Sequence, residues 1–140
     1  MNVMLKKIEH IGIAVKDLEV SNRLYAKLLG TKHYKTEFID SESVKTSFFK
    51  LGENKIELLQ ATNPESAIAK FINKKGEGVH HVAFEVENIE AEIKRLIDEG
   101  FELIDDTPKL GADNKIIAFL HPKSSGGVLV ELCQEVPNKE

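Results

Sequence analysis

Two stretches of the chain alternate small or polar residues with bulky apolar ones. In residues 8–15, His10, Gly12 and Ala14 fall on one side, and Ile11, Ile13 and Val15 on the other. In residues 79–86, His81, Ala83 and Glu85 oppose Val82, Phe84 and Val86. Side chains alternate faces along a strand, so both stretches predict strands with one face packed. Their β-branched and aromatic content agrees. The period then lengthens. After Asp17, the apolar residues Leu18, Leu24, Tyr25, Leu28 and Leu29 fit one helical face, and after Asn88 so do Ile89, Ile93, Leu96 and Ile97. Asp17 and Asn88 are N-cap residue types, and Gly30 and Gly100 suit helix C-termini, where φ often turns positive.

The whole order occurs twice. Ile8-Glu9-His10-Ile11-Gly12-Ile13-Ala14-Val15 resembles Val79-His80-His81-Val82-Ala83-Phe84-Glu85-Val86, with His10 and His81 equivalent. Ser47-Phe48-Phe49-Lys50-Leu51-Gly52 aligns with Ile117-Ala118-Phe119-Leu120-His121-Pro122. Lys55-Ile56-Glu57-Leu58-Leu59-Gln60 aligns with Leu129-Val130-Glu131-Leu132-Cys133-Gln134, so Glu57 and Glu131 correspond. Each half reads as strand, helix, then about three strands. The expected fold class is α+β: two tandem βαβββ modules, about residues 6–62 and 78–135, within one domain spanning 1–140. Residues 61–77 bridge the halves and predict a short helix over 67–75, with Ile68, Phe71 and Ile72 as its apolar side. Asn114-Lys115 and Gly126-Gly127 read as turns.

The repeat carries the chemistry. His10 and His81 share their strand faces with small residues, which leaves room beside the imidazoles. Glu57 and Glu131 likewise point away from the bulky apolar face of their strands. A lone histidine or glutamate on a strand is more often structural or solvated than a ligand. Matching pairs in two halves are harder to explain that way, and pseudo-twofold pairing would converge all four on one metal. Two imidazoles and two carboxylates favour a borderline divalent ion such as Zn²⁺, Co²⁺, Ni²⁺, Mn²⁺ or Fe²⁺. Mg²⁺ suits two histidines less well. His80 is expected on the helix side or at a strand edge, His33 exposed, and His121, beside Pro122, in a loop. Cys133 lacks an activating neighbour and reads as a small core residue.

Composition narrows the setting. With 41% hydrophobic and 30% charged residues, the 140-residue chain can build a core. A net charge of −4 and scattered lysines argue against nucleic acid as partner. One cysteine permits no internal disulfide and fits a reducing cytoplasm. No apolar run approaches the ~18 residues that span a bilayer, and Met1 to Lys7 lack a signal-peptide core.

At these positions the chain resembles the vicinal-oxygen-chelate superfamily, the glyoxalase fold. The similarity runs from about Ile8 to Gln134, through His10-Ile11-Gly12-Ile13-Ala14-Val15, Lys55-Ile56-Glu57-Leu58-Leu59 and Gly78-Val79-His80-His81-Val82-Ala83-Phe84. Asp106-Thr107-Pro108-Lys109-Leu110-Gly111 and the segment from His121 to Leu132 are most similar to its epimerase branch, which acts on methylmalonyl-CoA. The resemblance implies a curved, mostly antiparallel sheet around a metal site, with His10, Glu57, His81 and Glu131 as ligands. It also implies an isomerase that interconverts (R)- and (S)-methylmalonyl-CoA through a metal-stabilised enolate, with Glu57 and Glu131 moving the proton. A homodimer and an acyl-CoA substrate follow from the same likeness, with no nucleic-acid or membrane partner. Some members carry a further glutamate base on the preceding strand; that position is Thr46 here, which cannot serve, and Glu42 is expected in a nearby loop. Rival readings on the same fold are lactoylglutathione lyase, which isomerises a hemithioacetal, a ring-cleaving dioxygenase, and a non-catalytic resistance-type binding protein. A dioxygenase needs a 2-His-1-carboxylate site with an open face, and binding proteins often lack the ligands.

Overall fold

The computed structural model describes residues 5–136; Met1 to Met4, part of the N-terminal stretch read above, and residues 137–140 lie outside them. The described residues form eight strands and three α-helices. They divide into two compact units, one of residues 10–80 and one of residues 81–136 with 5–9, the division falling inside the first and fifth strands.

In the first unit, β1 (Leu5–Ala14) leads into α1 (Leu18–Leu29), followed by β2 (Lys35–Ile39), β3 (Val44–Leu51) and β4 (Asn54–Ala61). The strand order is β2-β3-β4-β1, with β1 and β4 parallel and the other pairs antiparallel. Asp17 caps α1 by accepting from the Val20 N–H at 3.2 Å, and Gly30 ends it at φ 72°, in the left-handed region that glycine tolerates. The Gln60 side chain accepts from the Leu18 N–H at 2.6 Å, satisfying a second orphan donor of the first turn. Leu18 then packs with Ile13, Val15, Phe49 and Leu58, and burial of a side chain this size contributes about 1.5–3 kcal/mol. Two residues assigned to the apolar face of α1 do not join it: Leu24 and Leu28 are 60% and 69% exposed. At about 100° per residue, Leu18, Tyr25 and Leu29 form one narrow stripe, and positions 24 and 28 fall to its side. α2 (Ala67–Lys75) follows, capped by Ser66 Oγ on the Ala69 N–H at 3.1 Å. Its Phe71 ring meets His80 edge-on at 5.0 Å, which gives His80 a structural place. His33 is half-buried against Phe49, not exposed as expected, with ring centroids 5.8 Å apart.

The second unit repeats the plan. β5 (Gly78–Val86) precedes α3 (Ile89–Asp98), then β6 (Lys109–Leu110), β7 (Lys115–Leu120) and β8 (Val130–Glu135), in the order β5-β8-β7-β6. β5 and β8 are parallel, and the other pairs antiparallel. Asn88 caps α3 through the Ala91 N–H at 3.0 Å, and Gln134 accepts from the Ile89 N–H at 2.7 Å, the counterpart of Gln60. Ile89, Ile93 and Leu96 pack on Val86, Ala118, Leu120 and Leu132, while Ile97 lies off the stripe and is exposed. Lys115 opens β7, so the turn ends at Asn114. The β7–β8 connection is a loop over residues 121–129 that contains a short 3-10 turn (Pro122–Ser124), with His121 exposed before it. Among the described residues no helix is long and apolar enough to cross a membrane.

Candidate active site

Strand register builds the same side-chain set in each unit. In the first, Gly12 of β1 stands beside Glu57 of β4, and Glu57 stands beside Phe48 of β3. His10, two residues before Gly12, shares its face, and its Nδ1 lies 3.1 Å from Glu57 Oε2. In the second, Ala83 of β5 stands beside Glu131 of β8, and Glu131 beside Phe119 of β7. His81 Nε2 lies 3.1 Å from Glu131 Oε1. The small residues predicted beside the histidines thus stand in register with the glutamates that reach the imidazoles.

All four polar side chains are buried. His10, Glu57, His81 and Glu131 are 4%, 3%, 5% and 6% exposed. Ionisable groups are rarely buried so completely unless they pair or bind a metal. Phe48, beside Glu57 in register, is fully buried. The Phe119 ring meets His81 at 5.8 Å and 88°, holding the imidazole edge-on. Both units thus contain a histidine, a glutamate and a phenylalanine in matching register.

Each unit places one imidazole nitrogen and one carboxylate oxygen 3.1 Å apart. That separation suits a hydrogen bond, and it also suits two donors on adjacent corners of one ion, since Zn–N and Zn–O bonds are about 2.0–2.2 Å. Nitrogen and hard oxygen donors without thiolate fit a borderline divalent cation. Cys133 is fully buried with Ala83 and Ile117, and its Sγ is 3.5 Å from the Phe84 carbonyl, as a core thiol.

Phe48, Phe119 and Lys55 were not singled out from sequence. The aligned repeat placed Phe49 against Phe119, but strand register shifts this by one, so that Phe48 corresponds to Phe119. The signal was hidden because the β3–β4 turn is short while the β7–β8 connection is a longer loop. Lys55 lies 4.0 Å from Glu57 Oε2 and is 9% exposed. Thr46, on the same face as Phe48, is fully buried, and Glu42 sits in the 3-10 turn Asp40–Glu42 between β2 and β3, as expected of a loop residue.

A repeated βαβββ unit that closes a histidine onto a glutamate defines a class. Residues 9–119 match the Glyoxalase/Bleomycin resistance protein/Dioxygenase superfamily, and the chain belongs to it. Among its relatives, the ethylmalonyl-CoA/methylmalonyl-CoA epimerase of Cereibacter sphaeroides is 38% identical, over 94% of this chain and 99% of its own. The crystal structure of methylmalonyl-CoA epimerase from Mycobacterium tuberculosis superimposes with a TM-score of 0.93 at 32% identity, covering 98% of this chain and 93% of that one. A methylmalonyl-CoA epimerase in complex with methylmalonyl-CoA and NH4+ gives 0.90 at 35% identity, covering 94% and 96%. By this kinship the chain is an isomerase of the epimerase type.

Proposed function

We propose that the protein epimerises methylmalonyl-CoA, exchanging its (R) and (S) forms, with His10, Glu57, His81 and Glu131 holding one divalent cation. The observation that carries this reading is the duplicated buried histidine–glutamate pair, 3.1 Å in each unit, in a chain whose relatives are named for this reaction. Epimerisation needs no redox change. The α-carbon loses a proton from one face and regains one from the other, so a group able to accept and return it is required on each side.

A bound cation would supply Lewis-acid polarisation of the thioester carbonyl and so acidify the α-proton. The chain's own residues supply the rest. Glu57 and Glu131, one per unit and matched by the repeat, are the carboxylates assigned to the proton. One takes it as the C–H bond breaks, and the other delivers a proton to the opposite face. A carboxylate held tightly by a cation is a weak base, so at least one must loosen when substrate binds. His10 and His81 would hold the cation through their ring nitrogens. Phe48, fully buried, and Phe119, half-buried against His81, give each half-site an apolar wall, which disfavours water beside a carbanion-like centre. Cytoplasmic location and a homodimer complete the reading.

The test is exchange of the α-proton for deuterium. Purified protein is incubated with methylmalonyl-CoA in D₂O, with chelator and then with added Co²⁺. Chelator-sensitive exchange restored by Co²⁺ supports the proposal. A folded, metal-loaded protein that exchanges nothing overturns it, and the hemithioacetal of methylglyoxal and a thiol becomes the next substrate to try.

A further inference from the structure

Gly111 closes the segment Asp106-Thr107-Pro108-Lys109-Leu110-Gly111, and it is glycine for want of room. Its backbone is extended, with φ −119°, which other residues adopt readily. A Cβ there would lie 2.6 Å from Ile117 Cδ1, 3.0 Å from Cγ1 and 3.1 Å from Cγ2. Turning the terminal methyl relieves only the first contact, because a β-branched side chain is stiff at χ1. A side chain at position 111 therefore drives Ile117 away as a whole.

The direction of that movement bears on the site. Ile117 stands in β7 between Lys109 of β6 and Cys133 of β8 in register. Gly111 follows β6, so displacement away from it carries Ile117 towards Cys133. Ile117 is buried in one apolar group with Ala83 and Cys133, and Phe119 packs on that group. Ala83 and Phe119 are the residues that flank Glu131 in register. In the first unit Phe48 matches Phe119, so Thr46 matches Ile117 and offers a hydroxyl instead of a longer alkyl branch.

We infer that Ile117, held in place by Gly111, is a specificity-determining residue that sets the size of the alkyl group accepted on the α-carbon. The inference rests on the function proposed above, which brings that carbon to the Glu131 carboxylate. An alkyl branch gains by leaving water for apolar surface, and Ala83, Ile117 and Phe119 supply such surface around Glu131. Ala83 contributes only a methyl, and the Phe119 ring is engaged edge-on with His81. Ile117 is left as the side chain whose bulk decides how long a branch fits. Close-packed interiors register a change of even one methylene. Shortening Ile117 adds room, and pushing it from Gly111 towards Cys133 removes room.

The experiment compares kcat/KM for α-deuterium exchange of methylmalonyl-CoA and ethylmalonyl-CoA, which differ by one methylene, using the Co²⁺-loaded protein. Ile117→Ala should move the ratio towards ethylmalonyl-CoA by about tenfold, a discrimination that one methylene can carry in an apolar pocket. Gly111→Ala should move it about tenfold the other way, towards methylmalonyl-CoA. Combining Gly111→Ala with Ile117→Val removes the Cδ1 methyl that the new Cβ meets, and should return the ratio close to that of wild type. If Ile117→Ala does not melt cooperatively, Ile117→Val makes the same comparison with a smaller shift. Equal losses on both substrates would mean that the pair only packs the core, and would overturn the inference. Ratios that stay put, or that move the same way in both single variants, would overturn it too. Failure of the underlying function looks different, because wild type itself would then exchange neither thioester, and the inference would fall with it.

Discussion

The carboxylate of Glu57 reaches His10 at 3.1 Å across the parallel β1–β4 pair, where Gly12 stands beside Glu57 in register. The second unit repeats the relationship through Ala83, Glu131 and His81. If these carboxylates move the proton, replacing either by glutamine should remove basicity and keep much of the shape. Glu57→Gln and Glu131→Gln are each expected to slow α-deuterium exchange by roughly 100-fold or more, with KM changed by less than about fivefold. Steady-state kinetics at saturating Co²⁺ check this. Normal turnover in both variants would show that neither residue carries the proton.

Cation binding can be read without any reaction. Ligands that bind only the folded state stabilise it by RT ln(1 + [L]/Kd), about 2.7 kcal/mol at a hundredfold excess over Kd. For a chain of this size that should raise Tm by roughly 5–10 °C on adding Co²⁺, and EDTA should reverse the rise. His10→Ala and His81→Ala should each abolish most of the shift while leaving the metal-free Tm within a few degrees. A full Co²⁺ shift in both variants would remove the histidines from the ligand set.

The helix caps are duplicated as faithfully as the site. Gln60 Oε1 accepts from the Leu18 N–H and Gln134 Oε1 from the Ile89 N–H, both partly buried, so truncation strands a donor with restricted access to water. Gln60→Ala and Gln134→Ala should each destabilise by about 1–2 kcal/mol, measured by urea unfolding with unchanged m-value. Glu at either position keeps the acceptor and should recover most of the loss. Variants indistinguishable from wild type would show that the capping side chains of Asp17 and Asn88 suffice.

Much of this was legible because repetition multiplies weak signals. His10 alone says little, but His10, Glu57, His81 and Glu131 at matching places say a good deal, and each unit holds its own histidine and glutamate 3.1 Å apart. The caps at Asp17 and Asn88 and the helix Ala67–Lys75 were legible from local chemistry. What escaped depended on strand register. Phe48 and Phe119 become equivalent only when β3 and β7 are laid against β4 and β8, because connections of different length displace the linear alignment. Lys55 escaped because a lysine at a strand start normally faces solvent; only the neighbouring strands bury it. Leu24 and Leu28 are apolar yet exposed because they lie beside the buried stripe of α1 in angle, which residue type does not reveal.

Thr46 separates structure from chemistry in the last case. It is fully buried on the face shared with Phe48 and Glu57, next to Leu59 in register, and its Oγ1 has no hydrogen-bond partner among the described residues. A hydroxyl desolvated without a partner costs about 1–3 kcal/mol, and valine has nearly the same shape without that cost. Thr46→Val should therefore leave stability unchanged or raise it by about 0.5–1.5 kcal/mol in urea unfolding. Because a threonine hydroxyl cannot take an α-proton at neutral pH, exchange should stay within about twofold of wild type. A large fall in exchange with stability intact would show that the hydroxyl contacts substrate, and would place Thr46 among the binding residues, where its lack of an internal partner would find its reason.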